Sequence, residues 1–395
     1  MIKRSSYSYP EFKIFLTEIQ NTYLCITGLV TEKNTDPLKI ASAIYDKIAE
    51  ILTNSKSEII HERIFGNIEF YKKILKIRNK KMKIKKPLDA GIITYIEGKS
   101  CFDSPFSGIQ IRSFSPTIPE EKIEIFKKGN LPIGRIWNRN GAIYIQLQSI
   151  EGKNLKNKKF YQKQAENMFR KAEALLKSKG ASYRDVVRTW IYVDKILDWY
   201  NEFNLARNTC YKEFGLIPKE EKLNIIEEFP LPASTGIGGK NPKGASTIMD
   251  LLAVSPKAGS KIQIRPLPGT LQCPPYKYGS AFARATCVVE PEVKWIFVSG
   301  TASINEKGES IHLGDFPSQV KHTIEVVKSL ISLEGASIKD LCEATIFIKR
   351  ESDFPIYQEI SKSLGLSDIP ALYLIADVCR EELLFELEAT FALRI

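Results

Sequence analysis

Gly180-Ala-Ser-Tyr-Arg-Asp-Val-Val-Arg-Thr-Trp-Ile-Tyr-Val193 recurs without a gap, 155 residues on, as Gly335-Ala-Ser-Ile-Lys-Asp-Leu-Cys-Glu-Ala-Thr-Ile-Phe-Ile348, with five of fourteen positions identical. The same offset carries Ala165, Met168, Phe169, Ala172, Leu175 and Leu176 onto Val320, Thr323, Ile324, Val327, Leu330 and Ile331. Both sets have helical spacing, so an amphipathic helix, a Gly-containing turn and a strand follow one another twice. One supersecondary unit has been copied.

A third copy is fainter. Tyr23-Leu-Cys-Ile-Thr-Gly-Leu-Val30 reads as a strand, and Leu38, Ala41, Tyr45, Ile48 and Leu52 follow at helical spacing. Glu58 to Phe65 can then be laid on Asp185 to Tyr192. Three units of roughly 130 residues are of single-domain size. A period this long predicts three globular modules rather than a solenoid.

Composition is that of a globular protein, with 43% hydrophobic and 26% charged residues in 395. The N-terminus lacks the apolar run of an export signal, and no stretch approaches the ~20 apolar residues of a spanning helix. The expectation is a soluble cytoplasmic protein with no membrane partner. Seven scattered cysteines without a C-x-x-C pair fit reduced thiols. Three histidines, His61, His312 and His322, offer no zinc spacing, and none lies near a nucleophile elbow. No metal or other cofactor is expected.

The net charge of +11 owes much to Lys72, Lys73, Lys76, Arg78, Lys80, Lys81, Lys83, Lys85 and Lys86, a run without an acid. No stacking aromatics are interleaved, so a solvated face is preferred to a nucleic-acid site. The positive field suits a small anionic substrate.

Along the chain, the modules are read as 1–115, 130–255 and 281–395, separated by a polar connection from Pro116 to Gly129 and by a Pro- and Gly-rich stretch from Ser255 to Ser280. Each reads as strand, helix, strand, helix, strand. That order predicts an α+β layer with helices on one face of a mixed sheet.

The third module resembles the RidA (YjgF) family of reactive-imine deaminases. The residues carrying the likeness are Phe297-Val-Ser-Gly-Thr301, Gln319, Gly335-Ala-Ser, Ile369-Pro-Ala371 and Phe385-Glu-Leu-Glu-Ala389. The family's trimers place active sites between subunits, so three modules in one chain imply a monomeric, covalently joined pseudo-trimer. The family also carries an arginine directly after the Pro-Ala pair, where Leu372 stands here. Ordinary imine deamination, or metabolite binding by a RidA-like protein, is therefore the lesser alternative.

Pro232-Ala-Ser-Thr-Gly-Ile-Gly-Gly239, Tyr278-Gly-Ser-Ala-Phe-Ala-Arg-Ala285 and Ala376 to Glu386 resemble the chorismatases, enzymes that remove the enolpyruvyl group of chorismate as pyruvate. The likeness implies chorismate as substrate and no cofactor. It also implies Glu386 as the proton donor, with Glu388, two residues on and on the same strand face, as alternative or supporting group. Arg188, Arg284 and Arg380 are the candidates for the two carboxylates, because guanidinium forks bind them bidentately. Ser234, Thr235 and Gly236 could contact the substrate closely, and Tyr276, Tyr278 and Tyr373 could supply hydroxyls. Cys379 matches a pocket cysteine of the chorismatases that form 3-hydroxybenzoate. The alternative product is a dihydroxycyclohexadiene carboxylate.

Overall fold

The computed structural model describes residues 2–83, 92–152, 160–218 and 229–395; Lys85 and Lys86 of the basic run lie outside them. The first module contains β1 (Ile2–Ser8), β2 (Phe12–Ile19), β3 (Tyr23–Val30), α1 (Pro37–Ser55), β4 (Glu58–Gly66), α2 (Tyr71–Lys81), β5 (Thr94–Ile96), β6 (Lys99–Ser100) and β7 (Phe106–Phe114). The second contains β8 (Glu124–Lys128), β9 (Leu131–Arg139), β10 (Ala142–Glu151), α3 (Tyr161–Lys177), β11 (Val186–Val193), α4 (Ile196–Glu213), β12 (Ala233–Gly238) and β13 (Thr247–Pro256). The third contains β14 (Gln263–Leu267), β15 (Ala285–Val289), β16 (Val293–Ala302), α5 (Phe316–Ser332), β17 (Leu341–Ile348), α6 (Phe354–Ser363), β18 (Ala371–Ile375) and β19 (Phe385–Arg394).

The three sheets have one topology. Their orders are β1-β2-β3-β7-β4-β5, β8-β9-β10-β13-β11-β12 and β14-β15-β16-β19-β17-β18, the last extended by β6. In each, the final crossover pair is parallel and the other neighbours are antiparallel. This is the RidA-like α+β fold, three times over.

The repeated sequence has a local cause. Gly180 and Gly335 end their helical segments at φ 73° and 76°, a conformation that other residues adopt only at a cost. Ser182 with Asp185, and Ser337 with Asp340, then form matching capping boxes that launch β11 and β17. The helical positions paired by the offset are buried in both α3 and α5. In the first module α1 starts instead at Asp36, whose carboxylate accepts from the Leu38 and Lys39 amides.

Two stretches read as connections contain edge strands. β8 spells Glu-Ile-Phe-Lys-Lys and β14 carries Pro266, so neither shows the core alternation by which strands are recognised. Charge and proline are what exposed edges tolerate. Within the basic run, α2 buries Ile74 and Arg78. Arg78 Nη2 donates to Glu62 at 2.7 Å, so one of the run's cations is structural, while Lys72, Lys73, Lys76 and Lys80 are exposed.

The modules close into a ring. Glu97 N donates to Lys240 O, Gly238 N to Asp377 O, and Cys101 N to Tyr373 O, tying first to second, second to third and third to first. At equivalent register positions Tyr23, Tyr144 and Trp295 face Phe114, Val254 and Ala392, and all belong to one apolar cluster drawn from the three sheets. Among the described residues no helix is long and apolar enough to cross a membrane. All seven cysteines are free thiols.

Candidate active site

Pseudo-threefold packing sets the return strand of one module against the crossover strands of its neighbour, which creates three related clefts. At equivalent register positions the return strands β7, β13 and β19 carry Gly108, Ile248 and Glu386, paired with Phe65, Tyr192 and Phe347. Side chains close two of the clefts. A Cβ on Gly108 would lie 2.6 Å from Leu372, which is fully buried there, and Ile248 is equally buried opposite the first module. Leu372 thus fills this cleft.

The third cleft, between the second and third modules, holds a cavity of about 470 Å³. Glu386 is in its wall. A bulge in β16 over Ser299 and Gly300 makes room for the carboxyl, since a Cβ on Gly300 would sit 2.2 Å from Glu386 Oε1. Burial, and next the Glu388 charge, push the Glu386 pKa up to about 8, against the lowering influence of Arg188 and Arg284. At neutral pH this acid holds its proton.

Glu388 has the opposite environment. Arg63 Nη1 and Arg188 Nη2 each donate to it at 2.7 Å, and Thr345 Oγ1 at 2.9 Å. Burial works against its charge, but Arg63 and Arg188 outweigh it and hold the carboxylate at about 2. Two carboxyls on one strand face are therefore split, one neutral and one ionised. Glu388 is not in the cavity lining and is ionised at neutral pH, a placement that suits the supporting group of the sequence reading and not the alternative acid.

Arg188 shares this layer. Its Nη2 is shared between Glu388 and Thr235, the latter at 2.6 Å, while Nε and Nη1 are buried without a partner. It lies beneath the cavity wall, not in it. Thr235 belongs to this lower layer too.

Cavity-lining residues from the sequence reading are Glu386, Cys379, Arg284, Arg380, Ser234, Gly236 and Tyr278. Ser234 is fixed from both sides: its amide donates to Ser299 Oγ at 2.8 Å and its hydroxyl bonds Thr189. Tyr276 lines a separate apolar hollow beside Pro266 and Pro275. Tyr373 packs among Phe102, Phe354 and Tyr357 in the third module's core. Neither tyrosine reaches the cavity, because strand alternation turns Tyr373 to the helix side and the 3₁₀ turn at Pro275–Tyr278 directs Tyr276 away from Tyr278.

Two important residues come from α4, which the sequence reading passed over. Arg207 is 1% exposed, with its guanidinium between Phe203 and Phe282 at 5.6 and 5.4 Å from the ring centres. It donates to Asn204, and its Nε has no hydrogen-bond partner among the described residues. Tyr200 lines the same cavity just beyond Trp199, whose φ of −155° breaks the helix there. Helical spacing of Tyr200, Phe203 and Arg207 was the available signal, but a long arginine on a mixed helix face looks no different from a surface one.

Among the described residues Arg284 donates only to the Cys273 carbonyl, and Arg380 only to Gly308 O and Ser310. With Arg207 they give the cavity three guanidiniums, and none forms an ion pair with a carboxylate of the described residues. Burial, and next Glu386, push the Cys379 thiol up to about 12, so it is protonated. Four exposed carboxylates, Asp198, Glu202, Glu381 and Glu382, also line the cavity, so it is the buried part, with Arg207, Arg284 and one neutral acid, that suits the carboxylate or hydroxyl oxygens of an anion.

No family profile matches the chain. It is 29% identical over 229 residues to a 3-hydroxybenzoate synthase of Streptomyces hygroscopicus, a match covering 52% of this chain and 63% of that one. It is 27% identical over 235 residues to a chorismatase of the same organism, covering 54% and 64%. The matches thus span under two thirds of these relatives' lengths. A crystal structure of a chorismatase superposes with a TM-score of 0.59 at 18% identity, over 84% of this chain and 92% of that one, which establishes a shared fold.

Proposed function

We propose that this chain cleaves the enol ether of chorismate, releasing pyruvate and forming 3-hydroxybenzoate. The observation that carries the reading is the conjunction, in one cavity, of three arginines without a carboxylate partner among the described residues and a carboxyl kept protonated to about pH 8. Chorismate is a dianion whose enol ether is cleaved by protonating the methylene carbon. The similarity to a 3-hydroxybenzoate synthase selects the substrate among the dianions that would fit.

Glu386 gives its proton to the methylene carbon, and positive charge develops on the carbon that bears the ether oxygen. General acid assistance of this kind contributes typically ~10²–10⁴-fold. Capture of that centre by water leads to pyruvate and the dihydroxycyclohexadiene acid; capture by the ring hydroxyl leads, after aromatisation, to pyruvate and 3-hydroxybenzoate with no water consumed. Loss of the attacking hydroxyl's proton restores Glu386. Arg207, Arg284 and Arg380 hold the carboxylates, and Cys379 occupies space beside the acid where a water would otherwise sit. All these groups come from two modules of one chain, so a single chain suffices for the site.

Incubation with chorismate, a coupled pyruvate assay and chromatography of the aromatic product test the reading; absence of pyruvate defeats it. Replacing Arg207 by Ala is expected to raise KM about 10- to 100-fold, the worth of a charge-assisted hydrogen bond of ~1.5–3 kcal/mol. A KM unmoved in that variant would remove Arg207 from the carboxylate site. Cys379→Ala is expected to shift the product mixture toward the dihydroxycyclohexadiene acid, with pyruvate release persisting. An unaltered product at an unaltered rate would take the thiol out of the mechanism.

A further inference from the structure

Resting on the reading of this cavity as a site for a dianion, we infer that Phe282 is a specificity-determining residue: its ring fixes Arg207 and Arg284 relative to one another, so that the cavity selects ligands with two carboxylates over ligands with one. The observation is a chain of shared rings. Arg207 lies over Phe203 and Phe282, with its guanidinium carbon 5.6 and 5.4 Å from the ring centres. Arg284 lies over the same Phe282 at 5.8 Å and over Tyr278 at 5.6 Å, and Arg380 over Tyr278 at 5.2 Å. Arg207 and Arg284, the two buried members, thus meet at Phe282, which is itself in the cavity lining.

Rings do here what carboxylates do elsewhere. Neighbouring cations repel, and the negative face of an aromatic ring offsets that repulsion without engaging the N–H donors. A planar guanidinium stacked on its face keeps its edge for a ligand. Among the described residues Arg207 donates to Asn204 through Nη2 and Arg284 to the Cys273 carbonyl through Nε and Nη2, while Nη1 of each makes no hydrogen bond. One carboxylate on each guanidinium is the complement of such a pair. The outer lining, where the half-buried Arg380 accompanies four exposed acids, is net acidic, so both carboxylates belong at the buried end.

The ring is held from both modules. Asn208 Nδ2 donates to Gly279 O at 2.9 Å, docking α4 on the segment that carries Phe282. Ala283 N donates to Pro232 O and Ser299 N to Arg284 O, each at 3.0 Å, which fixes the backbone just after the ring. Neither arginine can shift far from the other without leaving the ring they share.

Benzene-1,3-dicarboxylate and benzoate serve as probes, and calorimetry on the full chain gives their affinity ratio without any turnover. The parent is expected to bind the dicarboxylate at least about tenfold more tightly. Phe282→Leu keeps an apolar side chain and removes the ring, so the ratio should fall about tenfold, toward unity. Phe282→Tyr, which keeps the ring, should retain most of the selectivity. An unfolded fraction weakens both probes alike and leaves the ratio, and Phe282→Met supplies the ringless variant if the leucine variant fails to fold. In the Arg284→Ala background, Phe282→Leu should change the ratio no further, because one carboxylate has already lost its partner.

A ratio unmoved in Phe282→Leu, or moved equally by Phe282→Tyr, overturns the inference, as does a parent that binds both probes alike. A further fall in the Arg284→Ala background overturns it too, since the ring would then act apart from the pair. The pyruvate assay is independent of these outcomes. Selectivity lost with the ring, in a chain that releases no pyruvate from chorismate, supports the inference and defeats only the reaction; pyruvate release with an unmoved ratio defeats only the inference.

Discussion

Glu386→Gln is expected to lower kcat/KM for pyruvate release by about 10²–10⁴-fold while leaving the fold and the affinity for chorismate nearly intact. The amide matches the carboxyl in shape, so it fits the space left by the bulge at Gly300. It cannot donate a proton to carbon with useful driving force. The loss should therefore fall on kcat. Near-full turnover by Glu386→Gln, with loss in Glu388→Gln, would require the acid to be reassigned.

The pH profile follows from the same environment. Because the acid works in its protonated form, kcat/KM should fall as pH rises through about 8, the point at which Glu386 ionises in the free protein. An ordinary carboxyl would give that limb near pH 4 to 5. Glu388→Gln removes the nearby charge that helps keep Glu386 neutral, and should move the limb to lower pH. Glu386→Gln should abolish it.

The sequence revealed the repeat because its signals are local: a glycine with positive φ, a Ser–Asp capping box and an apolar stripe recur at one offset. It also singled out Glu386 and Cys379 as candidates, both of which line the cavity, because they sit on a strand and loop with diagnostic neighbours. The edge strands β8 and β14 stayed hidden, since an exposed edge leaves no alternation to read. Arg207 and Tyr200 stayed hidden for a different reason. Their role depends on a neighbouring module facing α4, and no spacing within the helix encodes that. The same cause hid the ion pair of Arg188: its position across a module boundary was legible, but the second arginine that shares Glu388 comes from the first module, 125 residues earlier in the chain (63 to 188).

Arg188→Ala is accordingly expected to act on stability first. Removing one partner of a buried ion pair leaves the other charge uncompensated and typically costs ~3–5 kcal/mol. Here Arg63 would remain on Glu388, so a loss toward the lower end is expected, seen as a fall in melting temperature and in the denaturant midpoint. Glu388 also links this layer to pH. Its folded pKa, held near 2, lies below the ordinary value of about 4.3, so the stability it contributes is present at neutral pH and is lost as pH falls from about 4 to 2. In Glu388→Gln that acid-side loss should shrink. Arg188→Ala should affect KM less than Arg207→Ala does, because Arg207 faces the cavity and Arg188 lies beneath it. If Arg188→Ala melted like the parent and raised KM tenfold or more, the guanidinium would have to leave Glu388 for the substrate, and the layered arrangement of structural pair below and unpaired arginines above would be wrong.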